Sequence, residues 1–377
     1  MSRNRIIYNV LSLYAGQNNA QTGVHTGVSA VKQLSRVQSF DEDFARNIKD
    51  INQYGQLNVI DRIEVQSPTV KASFSYYLTN GDNEQFMGLT VTPALSSAGV
   101  TGTSVVSCLS GFVSKVTDEK NYFLLIADEG YDAVGYTNAR TGVFGLGNAY
   151  LNSYSVEAAV GEVPKATVNL EALNVRVYTG ATGGDNIPAI NINSSLPVTG
   201  VPFSLPASTA SSINNQVSAL QPGDIAVNIS GTNGVSISDL KLQNFKLDFN
   251  LNRKPVMRLG YKYAFSREIE FPVKATFSID AELGDLEAAA LSDIAFCETG
   301  FQNLSVVLKQ PNCQGTGNPA MIFSFYGAKL ISQKVSTSIG SNAKFTATFE
   351  NQMGAANDTS KGVFIQGSYS NTGVLKA

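Results

Sequence analysis

The sequence predicts a mainly β (α+β) chain: two tandem copies of one β-sandwich or barrel domain, each with one flanking helix. Three observations carry this. Val70-Lys71-Ala72-Ser73-Phe74-Ser75 returns as Val273-Lys274-Ala275-Thr276-Phe277-Ser278, displaced by 203 residues. A second block, Phe144 to Glu171, returns without a gap as Phe323 to Glu350, displaced by 179. Apolar and polar residues alternate cleanly along the Val-Lys-Ala strand and recur at alternate positions in the closing strands, the mark of strands buried on one face.

Each copy opens with a strand, Arg36–Phe40 matched by Lys241–Phe245, followed by a polar stretch holding Gly55 and Gly260 at equal offset. The Val-Lys-Ala strand comes next, with Val70, Ala72, Phe74 and Tyr76 on one face and Lys71, Ser73 and Ser75 on the other. A helix follows. In the first copy it is short, about Asn83 to Leu89, with Asp82 or Asn83 as its N-cap and a Gly/Ser/Thr/Val-rich insertion running on to Gly111. In the second, Leu286, Ala289, Ala290 and Ile294 recur at helical spacing over Asp285–Cys297. Buried strands at Tyr122–Ile126 and Leu304–Leu308 then lead to a closing hairpin with Gly161 or Gly340 at its turn. The expected organisation is an N-terminal arm (1–30), domain 1 (31–179), a Gly/Pro/Ser-rich linker or extended loop (180–232), domain 2 (233–353) and a C-terminal arm (354–377). Within the linker, Ile187–Ile192 and Ile225–Ile229 are apolar enough to add strands.

Composition narrows the function. Of 377 residues 43% are hydrophobic but only 15% charged, against about 25% in ordinary soluble domains. Such a surface is either covered by neighbours or kept neutral. A net charge of −3 argues against a groove that grips nucleic-acid phosphates. Three cysteines imply no disulfide framework. No apolar run approaches the roughly 20 residues of a membrane span, and Asn9 and Ser12 interrupt the apolar N-terminus, which reads as a strand arm rather than a signal peptide.

His25 is the only histidine and sits in a Thr/Gly-rich loop, where a solvated side chain is the simpler reading. Asp41-Glu42-Asp43 and Asn80-Gly81-Asp82-Asn83-Glu84 are the acidic clusters, and the second lacks the length and spacing of a calcium loop. Gly142, Gly145 and Gly147 imitate a phosphate loop, yet no Lys-Ser/Thr follows; they read as a loop entering a strand. No catalytic residue, metal site or cofactor is expected.

The polar faces of the closing strands are more informative. In the first copy these are Ser153, Ser155, Glu157, Lys165, Thr167, Asn169 and Glu171, and their counterparts are Ser332, Lys334, Ser336, Ser338, Lys344, Thr346, Thr348 and Glu350. Short hydroxyl and amide side chains dominate, with sparse charge of mixed sign. Such a face is either an ordinary exposed or packed sheet surface or the lining of a pore past which a charged polymer slides.

With the opening strand into Asp41–Asp50, the Val70–Tyr77 strand with its helical turn, and the closing strands around Gly161, the chain resembles the bacteriophage tail tube (major tail) proteins over about two-thirds of its length. The resemblance implies a structural virion protein without enzymatic turnover. One sheet per domain would join a continuous barrel, with Ser153, Ser155, Glu157, Thr167, Asn169, Glu171, Lys334, Ser336, Ser338, Thr346, Thr348 and Glu350 lining its lumen. A duplicated domain implies trimeric rings of pseudo-sixfold symmetry; a hexamer with one domain outside is the alternative. Implied partners are further copies of itself, a tape measure protein inside the tube, and tail terminator and baseplate proteins. Double-stranded DNA would pass without specific binding. Assembly would take place in the host bacterial cytoplasm and the final location would be the virion tail. A terminator, baseplate component, capsid decoration protein or adhesin is the competing structural reading.

Overall fold

The structure, a computed structural model, describes residues 11–17, 31–65, 67–93, 105–114, 118–127, 141–179, 182–205, 220, 225–231, 241–282, 301–309, 319–337 and 342–367. The fold is mainly β. In chain order the strands used below are β1 (Leu11–Gln17), β2 (Val37–Ala45), β3 (Ile48–Ile51), β4 (Asp61–Glu64) and β5 (Thr69–Tyr77). Helix α1 (Asp82–Met87) and strands β6 (Val91–Thr92), β7 (Glu119–Ala127), β8 (Thr141–Ala159), β9 (Lys165–Ala172) and β10 (Asn174–Thr179) complete the first copy. The linker contributes β11 (Ile225–Gly231). The second copy has β12 (Lys241–Asn250), β13 (Lys254–Val256), β14 (Ser266–Glu268), β15 (Val273–Glu282), β16 (Gln302–Lys309), β17 (Pro319–Ser336), β18 (Lys344–Met353) and β19 (Gly362–Gly367).

The two copies share one sheet. Its antiparallel order is β2-β5-β9-β8-β12-β15-β18-β17, so the opening strand of the second copy (β12) pairs with the closing strand of the first (β8). That junction runs from Ala159↔Asn244 through Val156↔Leu247 to Ser153↔Asn250.

Each long strand belongs to two layers. The first part of β8 lies between β7 and β10; beyond residue 150 it lies between β9 and β12. β17 does the same, first between β16 and β19 and then against β18. The corner is built identically in both copies. Asn148 and Gly327, displaced by 179, both take left-handed conformations (φ 51° and 68°). Their amides donate to Asn121 Oδ1 (3.2 Å) and Asn303 Oδ1 (3.1 Å) respectively. A bulge follows at the same place, opposite Asn169/Leu170 in the first copy and at Leu330/Ser332 in the second. Bulges bend and twist a strand, which here carries it from one layer to the other.

Period-two burial fills the space between layers. Phe74, Val156, Leu247, Phe277 and Phe349 belong to one apolar core that runs through both copies without a break. Each fully buried side chain of this kind contributes about 1.5–3 kcal/mol. A smaller core joins Tyr14 of β1, Phe123, Val143 and Tyr178 to Phe203 of the linker segment.

Several elements differ in detail from the sequence reading. α1 spans six residues and its N-cap is Gly81, without a side-chain cap. The side chains expected to cap are occupied elsewhere: Asp82 accepts from Asn80 Nδ2 (2.9 Å), and Asn83 Oδ1 accepts from Ser35 N (2.8 Å). Gly142, Gly145 and Gly147 lie within β8 itself, not in a loop. A Cβ on Gly147 would stand 2.3 Å from the Pro188 carbonyl oxygen, so glycine lets the linker pack onto the strand. The opening strands also align differently. Phe40 faces Phe74 and Leu247 faces Phe277, which makes Phe40 and Leu247 equivalents, two residues from the alignment of Phe40 with Phe245. Bulges at different points, between Val37 and Ser39 and between Leu242 and Asn244, absorb the shift.

Ile225–Ile229 does add to a sheet, through β11 on β16, and Ile190–Asn191 forms a small hairpin with Leu196–Pro197. β1 pairs with β7, and β19, from the C-terminal segment, pairs with β17 and in parallel with β6 of the first copy. The expected helix at Asp285–Cys297 lies outside the described residues.

Candidate assembly surface and polar face

The polar face is laid down by the alternation that buries its opposite side. Residues paired across an antiparallel ladder point the same way. One row therefore reads Ser39, Ser75, Thr167, Ser155, Asp248, Thr276 and Glu350 across seven strands. The next reads Lys165, Glu157, Lys246, Ser278, Thr348 and Ser332. A third joins Asn244, Asp280, Thr346 and Lys334. Ser153, Ser155, Glu157, Thr167, Asn169, Glu171, Lys334, Ser336, Thr346, Thr348 and Glu350 thus share one face, while Ser338 lies outside the described residues.

Part of the charge on this face is paired where it stands, while Lys246 and Lys334 carry no ion pair among the described residues. Lys165 Nζ meets Glu157 at 3.0 Å, and Lys274 meets Glu350 at 3.4 Å. Thr276 and Thr346 donate to Asp248 and Asp280, each at 2.7 Å. Asn169 donates to Ser153, and the Ser39 and Ser75 hydroxyls share a hydrogen bond, again at 2.7 Å. Glu171 is different: it is ion-paired with the buried Arg267 at one end of the sheet. The sequence reading singled out only the closing strands. Lys246, Asp248, Thr276 and Asp280 complete the face, and the same alternation along the opening and Val-Lys-Ala strands is the signal that includes them.

The outer edges are unequal to the internal junction. Among the described residues neither β2 nor the second part of β17 has a strand partner beyond the sheet. Tyr154 and Val156 are fully buried at the β8–β12 junction, whereas residues 331–336 of β17 are exposed throughout. Val335, the counterpart of Val156, is 53% exposed.

Two hairpins leave the same end of the sheet, after β2 and after β12. Their tips carry fully exposed Tyr54 and Leu57 in the first copy and Leu259 in the second. Gly55 and Gly260 turn both tips in the left-handed region. Lys262 Nζ, 2.7 Å from Glu64, links one hairpin to the other.

The other candidate clusters dissolve on inspection. Along β2, Asp41 and Asp43 lie on the polar face and Glu42 on the opposite one. Glu42 is held above the usual carboxylate range by partial burial and by Asp43. Glu84 is fully buried and accepts from the hydroxyls of Tyr76 (2.6 Å) and Tyr154 (2.9 Å), an internal strut between α1 and the sheet. Burial raises its carboxyl pKa against the lowering effect of those two hydrogen bonds. No group of three or more His, Cys, Asp and Glu residues capable of holding a metal occurs among the described residues, and His25 lies outside them.

Comparison with known proteins is sparse. No protein-family model and no curated protein matches the chain. Among solved structures, a chain of the anti-feeding prophage baseplate matches at 12% identity and a TM-score of 0.29, over 39% of this chain and 94% of that one. A chain of the SPP1 tail tube matches at 10% identity and a TM-score of 0.28, over 46% of this chain and 80% of that one.

Proposed function

We propose that this protein is a structural, non-enzymatic component of a phage tail whose copies join edge to edge into rings that stack as a tube wall. The observation that carries the reading is the eight-stranded sheet, in which two equivalent domains are already joined side by side with their polar faces aligned. A sheet with two open edges and head-to-tail geometry invites further copies until it closes. The apolar core would lie outside that barrel and the polar face inside it. A lining dominated by hydroxyls and amides, with sparse charge of mixed sign, offers DNA no continuous row of cations, which suits a conduit. Side-by-side domains favour three copies per ring over six with one domain outside. The exposed apolar hairpin tips, both at one end, suit burial against the next ring.

Electron microscopy of the purified protein at rising concentration tests this. Rings or stacked tubes with an open channel are expected. Monodisperse monomers at high concentration would refute it.

A further inference from the structure

The internal junction between the two copies specifies the junction between separate chains. We infer that residues Ser332–Ser336 of β17 pair, antiparallel, with Ser39–Asp43 of β2 in a second copy of this chain, placing Lys334 opposite Asp41. This deepens the ring-forming reading proposed above and rests on it.

The register follows from two equivalences between the copies. β17 corresponds to β8 at a displacement of 179, because every pair of the β8–β9 hairpin from Lys165↔Glu157 to Glu171↔Tyr150 recurs in the β17–β18 hairpin with its bulge. β2 corresponds to β12 through Phe40 and Leu247, Asp41 and Asp248. The internal pairs Glu157↔Lys246, Val156↔Leu247, Ser155↔Asp248, Tyr154↔Phe249 and Ser153↔Asn250 therefore become Ser336↔Ser39, Val335↔Phe40, Lys334↔Asp41, Gln333↔Glu42 and Ser332↔Asp43. The bulge between Val37 and Ser39 ends the ladder there.

The side chains suit these places. Val335 and Phe40 stand where Val156 and Leu247 bury each other, and both are incompletely buried in the single chain. Lys334 and Asp41 are exposed, of opposite charge and on the same polar face. Gln333 and Glu42 replace the rings of Tyr154 and Phe249, whose centroids lie 5.6 Å apart, with an amide that can donate to a carboxylate. Arg46, the counterpart of Arg253, is exposed over Phe44, whereas Arg253 bonds the Leu151 carbonyl across the internal junction. One strand edge is thus complementary to the other in register, hydrogen bonding and charge.

Charge reversal tests the register. Lys334→Asp would set two carboxylates opposite each other, as Asp41→Lys would set two amines. Each single variant should raise the protein concentration needed for ring formation by about tenfold, the equivalent of 1.4 kcal/mol per contact. The double variant should restore the wild-type threshold. Each variant should keep the wild-type circular dichroism spectrum, since both side chains are exposed. Rings whose threshold ignores the single changes would overturn the pairing while leaving ring formation intact. So would rescue of Lys334→Asp by Asp43→Lys instead of Asp41→Lys, which reports a slipped register. A wild-type chain that stays monomeric would overturn both readings.

Discussion

Arg253 ties the two copies together, and its removal should be costly. Its side chain is fully buried, with Nε donating to the Leu151 carbonyl (2.6 Å), Nη1 to the Arg267 carbonyl (2.8 Å) and Nη2 to Asp118 (2.5 Å). Its guanidinium also lies over the rings of Tyr150 and Phe112, at 5.3 and 5.7 Å. Four of these neighbours, Leu151, Asp118, Tyr150 and Phe112, come from the first copy, so the residue crosses the junction. Arg253→Ala leaves a largely buried carboxylate and two carbonyls without this donor. Breaking a buried pair from one side costs about 3–5 kcal/mol. Losing the packing of the side-chain stem adds to that. Urea unfolding followed by far-ultraviolet circular dichroism should show the midpoint fall accordingly. Arg253→Lys should recover only part, since an ammonium cannot serve the three divergent acceptors as a planar fork does. A loss under about 1 kcal/mol in Arg253→Ala would refute the assignment of this residue as a staple.

Two buried titratable groups give pH-dependent expectations. Glu84 has its folded pKa raised by burial, so its contribution to stability is full below the ordinary carboxylate range and fades as pH rises through the folded value. Glu84→Gln, which cannot ionise, should unfold at a midpoint less dependent on pH between 4 and 8 than the wild type; equal slopes would count against it. Lys120 is brought from 10.5 down to about 8 by burial. A depressed lysine favours folding more as pH rises from about 8 towards 10.5, so Lys120→Met should stabilise the protein near pH 7 by about 2–3 kcal/mol and flatten that rise. No gain in the urea midpoint at pH 7 would contradict the reasoning.

Much of the fold was legible because the repeat and its period-two alternation are written in side-chain chemistry. Val70 to Tyr76 and Val273 to Ile279 announce which face is buried, and pairing then propagates the polar face across neighbouring strands. What alternation cannot convey is which strand neighbours which. Nothing in Lys241–Asn250 itself says that it completes the edge of the first copy, because that choice is made by backbone hydrogen bonds common to every strand. The offset of the opening strands was missed for a related reason: a bulge adds a residue without changing the pattern on either side. Gly145 and Gly147 of β8 lie where the strand closely approaches Pro188, a contact between segments about forty residues apart that the local pattern does not carry. Arg253 gave no sequence signal beyond an ordinary surface charge.

If the polar face lines a channel, its tolerance of DNA should depend on how completely its lysines are neutralised. Lys165 and Lys274 already have Glu157 and Glu350, while Ser155 and Thr167 sit directly opposite each other in a row of hydroxyls. Lysines placed at Ser155, Thr167 and Ser336 would add three positive charges per chain. Only Asp248, which already accepts from Thr276, lies beside Ser155 in the row. These three positions point away from the apolar core, and at the inferred inter-chain edge the lysine at Ser336 would face only the small Ser39, so folding and ring formation should survive. Each new amine can hold a phosphate, and such contacts weaken steeply with salt. DNA ejection from assembled particles should therefore slow at low ionic strength and recover as salt rises. A face that is merely an outer surface predicts no change at any salt concentration, and unaltered ejection with full infectivity would remove these residues from the channel.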